Sequence, residues 1–142
     1  MHKTKLIFED FTFENISIAF CNMHVLFRNC IFLQSNIRDK AGDFLYITFD
    51  TISSKKDNNV VHPNFKTLNI LDIRHVIHAH INIFNSKLID SSTTIETKYF
   101  VVIFQSVNFY ISRAMNVVDI SKKDSWFVVL NQLKLSAITV EK

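Results

Sequence analysis

The stretch from Leu6 to Ile37, LIFEDFTFENISIAFCNMHVLFRNCIFLQSNI, decides the fold. Apolar residues recur at Phe8, Phe13, Ile18 and Met23 and then, after a one-residue slip, at Phe27, Phe32 and Ile37. Two places before each stand Leu6, Phe11, Ile16, Cys21, Val25, Cys30 and Ser35. This five-residue period matches neither a 3.6-residue helical turn nor the two-residue alternation of a simple strand. It suits a square coil whose sides are short strands joined by turns, with successive coils stacking their inward side chains into ladders. The same stretch also reads as an antiparallel meander. Phe11 and Phe13, then Ile16, Ile18 and Phe20, alternate locally, and Glu14-Asn15 would turn between them. Both readings make the chain mainly β, and both stay open at this point.

The triplets Cys21-Asn22-Met23 and Ser35-Asn36-Ile37 resemble the unit of pentapeptide-repeat proteins: a small residue, Asn or Asp, then Leu or Phe. The resemblance covers residues 6–37, and Phe11 and Ile16 depart from it where the family places small residues. It implies a solenoid, and a role in protein binding or in mimicry of a nucleic-acid surface. Bacterial effectors and toxin-neutralising proteins are the contexts it suggests. The net charge of +3 argues against DNA mimicry, which needs an acidic surface.

Working outward, Phe44–Phe49 is rich in aromatic and β-branched residues and reads as a strand. Residues 50–64 break all periodicity with a polar run and His62-Pro63, and read as a long exposed loop. From residue 68 to 142 a β-rich remainder follows. Ile77, Ala79, Ile81 and Ile83 alternate with His78, His80 and Asn82, and Tyr99–Phe104 reads as a central strand buried on both faces. Val107–Ser112 would fold back on it through a turn at Gln105-Ser106. Asp124 caps a short C-terminal helix from Ser125 to about Leu135 in one reading, while alternation at Leu133, Leu135 and Ala137 keeps a strand open.

A chain of 142 residues with 48% hydrophobic and 13% aromatic content is a single domain able to bury a core. With one Gly and one Pro, neither a Walker loop nor a dinucleotide fingerprint can be built, so the sequence calls for no cofactor. Fourteen Phe against three Tyr point to core rather than to a recognition surface. Two cysteines, Cys21 and Cys30, do not make a disulfide scaffold or a metal-type pair, and read as reduced buried thiols. Glu9, Asp10 and Glu14 interrupt any signal-peptide core, and no apolar run is long enough to span a bilayer. The expectation is a soluble protein of a reducing, cytoplasmic compartment.

Few residues invite chemistry. His78 and His80 share a strand face and could chelate one ion, with His75, His62 or Asp72 as further donors. That is the basis of a metal-dependent enzyme reading for the His75–His80 region. Lys98, Phe100, Val102 and Phe104, with Tyr110 and Arg113, form a partial aromatic and basic face that suits a nucleic-acid-binding β module. The leading expectation is a non-enzymatic protein-interaction or assembly module, without catalytic residues. It associates as a homo- or hetero-oligomer through the N-terminal third, with Phe11 and Phe20 in the contact.

Overall fold

The computed structural model describes residues 4–55, 68–110, 115–120, 125–131, 134–135 and 138–141. The chain winds into a β-solenoid. Its first rung holds β1 (Thr4–Glu9), β2 (Thr12–Glu14) and β3 (Ser17–Phe20). The second holds β4 (Met23–Arg28), β5 (Ile31–Leu33) and β6 (Asn36–Asp39), and the third β7 (Gly42–Asp50), β8 (Ser53–Lys55) and β9 (Leu68–Ile73). Then follow β10 (Val76–Ile89) with β11 (Ser91–Ile95), and β12 (Tyr99–Tyr110) with β13 (Met115–Ile120). The last rung holds β14 (Ser125–Asn131), β15 (Lys134–Leu135) and β16 (Ile138–Glu141).

Every pairing among the described strands is parallel, which settles the solenoid against the antiparallel meander. Wall 1 is β1, β4, β7, β10, β12 and β14 in that order. Wall 2 is β2, β5 and β8, continued by the C-terminal ends of β10 and β12 and by β15. Wall 3 runs β3, β6, β9, β11, β13, β16. In the first two rungs Phe8 meets Phe27, Phe13 meets Phe32 and Ile18 meets Ile37. The expected ladders therefore exist, and they point inward. Their coil has three walls rather than four sides. The left-handed corner residues fall at Asp10, Asn15, Asn22, Asn29 and Gln34, so only wall 2 has the five-residue spacing. No such residue interrupts β4, and Met23 and Phe27 share one long wall.

Corner chemistry closes each rung. Asp10, Asn29, Thr51, Asn85 and Ser106 stack at the corner between walls 1 and 2, with φ between 51° and 63°. Left-handed backbone costs about 1 kcal/mol or more for most residues, and least for Asn and Asp, which stand in for glycine here. Their amides keep the ladder unbroken: Asp10 N–H donates to the Arg28 carbonyl (3.1 Å), Asn29 N–H to Asp50 (3.0 Å) and Thr51 N–H to Phe84 (2.9 Å). A small polar residue then follows. Ser86 Oγ donates to the Phe84 carbonyl (2.8 Å) and accepts from Ile52 N–H (3.1 Å), and Ser35 does the same with Leu33 and Ile16. The single glycine, Gly42, sits where the chain passes close against Cys21 and Asn22 at the start of the preceding rung. A Cβ there would lie 2.9 Å from Cys21 Cβ.

The interior of the first rungs is phenylalanine. Phe8 stacks on Phe27 at 5.1 Å, Phe27 on Phe49 at 5.3 Å and Phe13 on Phe32 at 4.9 Å, with Phe27 and Phe32 edge to face. Each such pair contributes about 0.5–1.5 kcal/mol beyond simple burial.

Four expectations need correction. Ser125–Asn131 is a strand, not a helix, because its Phe127-Val128-Val129 run pairs in register with Val101–Ile103 of β12. The loop does not begin at Asp50: Ser53–Lys55 forms β8, where buried Ser54 Oγ meets Ser91 Oγ at 2.8 Å, while 56–64 lies outside the described residues. Tyr99–Phe104 is central, between β10 and β14, yet it is buried on one face only: Phe100, Val102 and Phe104 point inward, while Tyr99, Val101 and Ile103 are half-buried on the outer face. Gln105-Ser106 is no hairpin turn. Ser106 is a solenoid corner through which β12 continues to Tyr110.

Candidate binding face

Parallel stacking brings residues 22 to 34 positions apart into outward columns along wall 1. His24 of β4, Tyr46 of β7 and His80 of β10 occupy one register line. Their rings form a ladder, His24 on Tyr46 at 4.3 Å and Tyr46 on His80 at 4.8 Å. The next column is Leu26, Thr48 and Asn82, where Asn82 Nδ2 donates to Thr48 Oγ1 (3.3 Å). The third is Arg28, Asp50 and Phe84. Together they line a groove of about 420 Å³ running along the solenoid axis, with Lys5 at its first-rung end. The ring ladder is one bank, the charged column the other, and the Leu26–Asn82 column the floor.

The electrostatics of this groove are mixed. Arg28 Nε lies 3.8 Å from Asp50 Oδ2, too far for a hydrogen bond. Asp50 Oδ1 is held by Thr51 Oγ1 at 3.0 Å. Both charged groups thus keep hydrogen-bonding capacity toward the groove. A second hollow, of about 550 Å³, lies over wall 2 between Ile31, Ser53, Lys55 and Lys87.

The histidines do not converge. His78 stacks on Tyr99 at 5.0 Å while His80 leans on Tyr46, each within a separate column of the same face. His75 is engaged elsewhere. Its Nδ1 lies 3.0 Å from Oδ1 of Asp39, whose side chain is fully buried and also accepts N–H bonds from Arg74, His75 and Val76 at the corner leading into β10. Burial pushes the Asp39 carboxyl up, but the Arg74 amide, the His75 ring and the other amides outweigh it and hold the pKa below its ordinary value. Among the described residues no group of three or more His, Cys, Asp and Glu side chains gathers around one point. His62 lies outside them.

Other sequence-derived candidates scatter. Phe11 is exposed at 51%, whereas Phe20 is 6% exposed and belongs to the core, packed against Phe8 and Phe27. Phe100, Val102 and Phe104, expected on an outward aromatic face, are buried in the interior of wall 1. Lys98 and Tyr110 of that group are exposed, far apart at opposite ends of β12: Lys98 Nζ rests 5.3 Å from the Tyr99 ring, and Lys87 Nζ lies 5.6 Å from the Tyr110 ring. Arg113 lies outside the described residues. Cys30 is buried, its Sγ donates to the Phe8 and Arg28 carbonyls, and burial raises its thiol pKa; Cys21 is half-buried, and both thiols are free. No helix among the described residues is long and apolar enough to cross a membrane.

Sequence reasoning placed Asn82 on the outward face with His78 and His80 but gave no role to His24, Arg28, Tyr46, Thr48 or Asp50, because only the rung register makes these residues neighbours. Comparison with family models, curated proteins and solved structures gives no match for this chain.

Proposed function

We propose that the chain is a non-enzymatic binding scaffold that presents the outer face of wall 1 to a macromolecular partner. The observation that carries this reading is the clustering on that face of half-buried Phe44, Tyr46, His24, His80 and Tyr99 beside exposed His78. Charged Arg28 and Asp50 stand along one side. Aromatic residues flanked by charge are the composition of recognition surfaces. The interior phenylalanines supply the stiffness that holds the columns in register. The resemblance of residues 6–37 to pentapeptide-repeat proteins supports the same reading, since that family presents solenoid faces to proteins.

A site-specific photo-crosslinker tests it. Placed at Asn82, on wall 1, it should capture a partner from the native source; at Ile31, on wall 2, it should not. The capture at Asn82 should fall at least tenfold in a Tyr46→Ala/His80→Ala variant. Equal capture at both positions, or none at Asn82, overturns the proposal. The nucleic-acid reading finds no comparable support, because its stacking platform at Phe100 and Phe104 faces inward.

A further inference from the structure

Resting on that reading, we infer that the wall 1 groove binds an oligosaccharide chain laid along the solenoid axis. The groove crosses the strands instead of following them. From Lys5 on the first rung to His80 and Asn82 on the fourth it spans three rung spacings, about 14 Å at the usual inter-strand distance. That accommodates an extended oligomer better than a single small molecule.

The hydrogen-bonding inventory matches sugar hydroxyls, each of which both donates and accepts. Asn82 offers an amide with both capacities, Thr48 a hydroxyl, Arg28 a donor fork and Asp50 an acceptor. Asp50 is oriented in advance by Thr51, and Asn82 by Thr48, so little side-chain freedom is lost on binding. Apolar Leu26 and Phe84 lie among these groups and suit the C–H faces of a pyranose ring.

Competing occupants fit less well. An added peptide strand needs free backbone groups at a sheet edge, but the groove floor is the middle of a parallel sheet whose strands β4, β7 and β10 pair on both sides. A nucleic-acid strand needs a sustained basic track, whereas Lys5 and Arg28 here oppose Asp50.

A glycan array followed by soluble titration tests the inference. Labelled protein is applied to immobilised neutral and uronic-acid oligosaccharides, and each hit is titrated as the free hexasaccharide while backbone amide NMR shifts are recorded. The expected result is binding with shifts confined to β4, β7 and β10 on wall 1. Affinity should fall tenfold or more in Asp50→Asn and in Asn82→Ala, and stay unchanged in Ile89→Ala, which lines the wall 2 hollow. Circular dichroism of each variant checks that it is folded. No hit on the array overturns the inference, as do shifts centred on Ser53, Lys55 and Lys87, or tighter binding of a single-stranded oligonucleotide at the same residues. Capture of a protein at Asn82 without any glycan binding would sink this inference alone and leave the scaffold reading standing.

Discussion

The first two rungs and the rungs that follow use the same corners but fill their interiors differently. Rungs one and two repeat at a constant offset of 19 residues around a stack of Phe8, Phe13, Phe27 and Phe32. In the later rungs wall 2 and wall 3 also bury Ser54, Ser86, Ser91, Thr93 and Thr94, with Thr97 at the following corner. Ser54 and Ser91 bond to each other, Ser86, Ser91 and Thr97 donate to nearby carbonyls, and Thr94 pairs with the Asn69 amide. The lesson is that the ladder is a backbone device. Once amides are paired through the corners, the interior tolerates either aromatic rings or satisfied hydroxyls, because a buried polar group with a partner costs little.

The largest expected effect lies in the aromatic rungs. Phe27, with no exposed surface and rings on several sides, should lose about 3–5 kcal/mol on truncation to Ala, measured by urea unfolding. Phe20→Ala should cost a comparable amount while exposed Phe11→Ala changes little. Equal effects at Phe11 and Phe20 would show that Phe20 does not belong to the aromatic core of the first rung.

Next comes the junction between the two regions, where buried Asp39 of the second rung clamps the chain entering the fourth. Asp39→Ala leaves several amides without an acceptor and should cost about 2–4 kcal/mol. The pKa of this carboxyl is lowered in the folded state, so its contribution is complete above the ordinary value of 3.8 and disappears as the pH falls through the lower folded value. Wild type should therefore lose stability on acidification below that point, and Asp39→Asn should lack this component. Parallel acid titrations of both proteins would reveal a mistaken assignment as identical curves.

A smaller effect belongs to the polar rungs. Ser86→Ala removes a hydroxyl that bridges the Phe84 carbonyl and the Ile52 amide, and should cost about 1 kcal/mol. A loss as large as that of Phe27 would mean that the hydroxyl network, not the backbone ladder, holds the later rungs. The smallest change is expected at Arg28→Ala. Its wide, exposed pairing with Asp50 predicts a stability change of about 0–1 kcal/mol, so any loss of binding in this variant reads the groove contact rather than unfolding.

The sequence by itself determined that the chain is mainly β and that Phe8, Phe13, Ile18, Phe27, Phe32 and Ile37 recur as an apolar series; that they stack as ladders rather than alternate in a meander was decided by the parallel register. Ladder residues recur at a short local period, and inward burial forces each to be apolar. It also marked the small residues Cys30 and Ser35, which the structure places just after left-handed corners. Strand or helix at Ser125–Asn131 was not legible, since Trp126, Val129 and Leu130 fit a helical stripe as well as a strand; the pairing with β12 decided it. The binding face was hidden for a related reason. His24, Tyr46 and His80 are brought together by register across rungs of unequal length, and the insertion between β8 and β9 shifts that register by a number of residues no local period encodes. Local patterning fixes what points inward on each strand; only the closed coil decides which outward residues meet, because their contact depends on the length of every intervening turn.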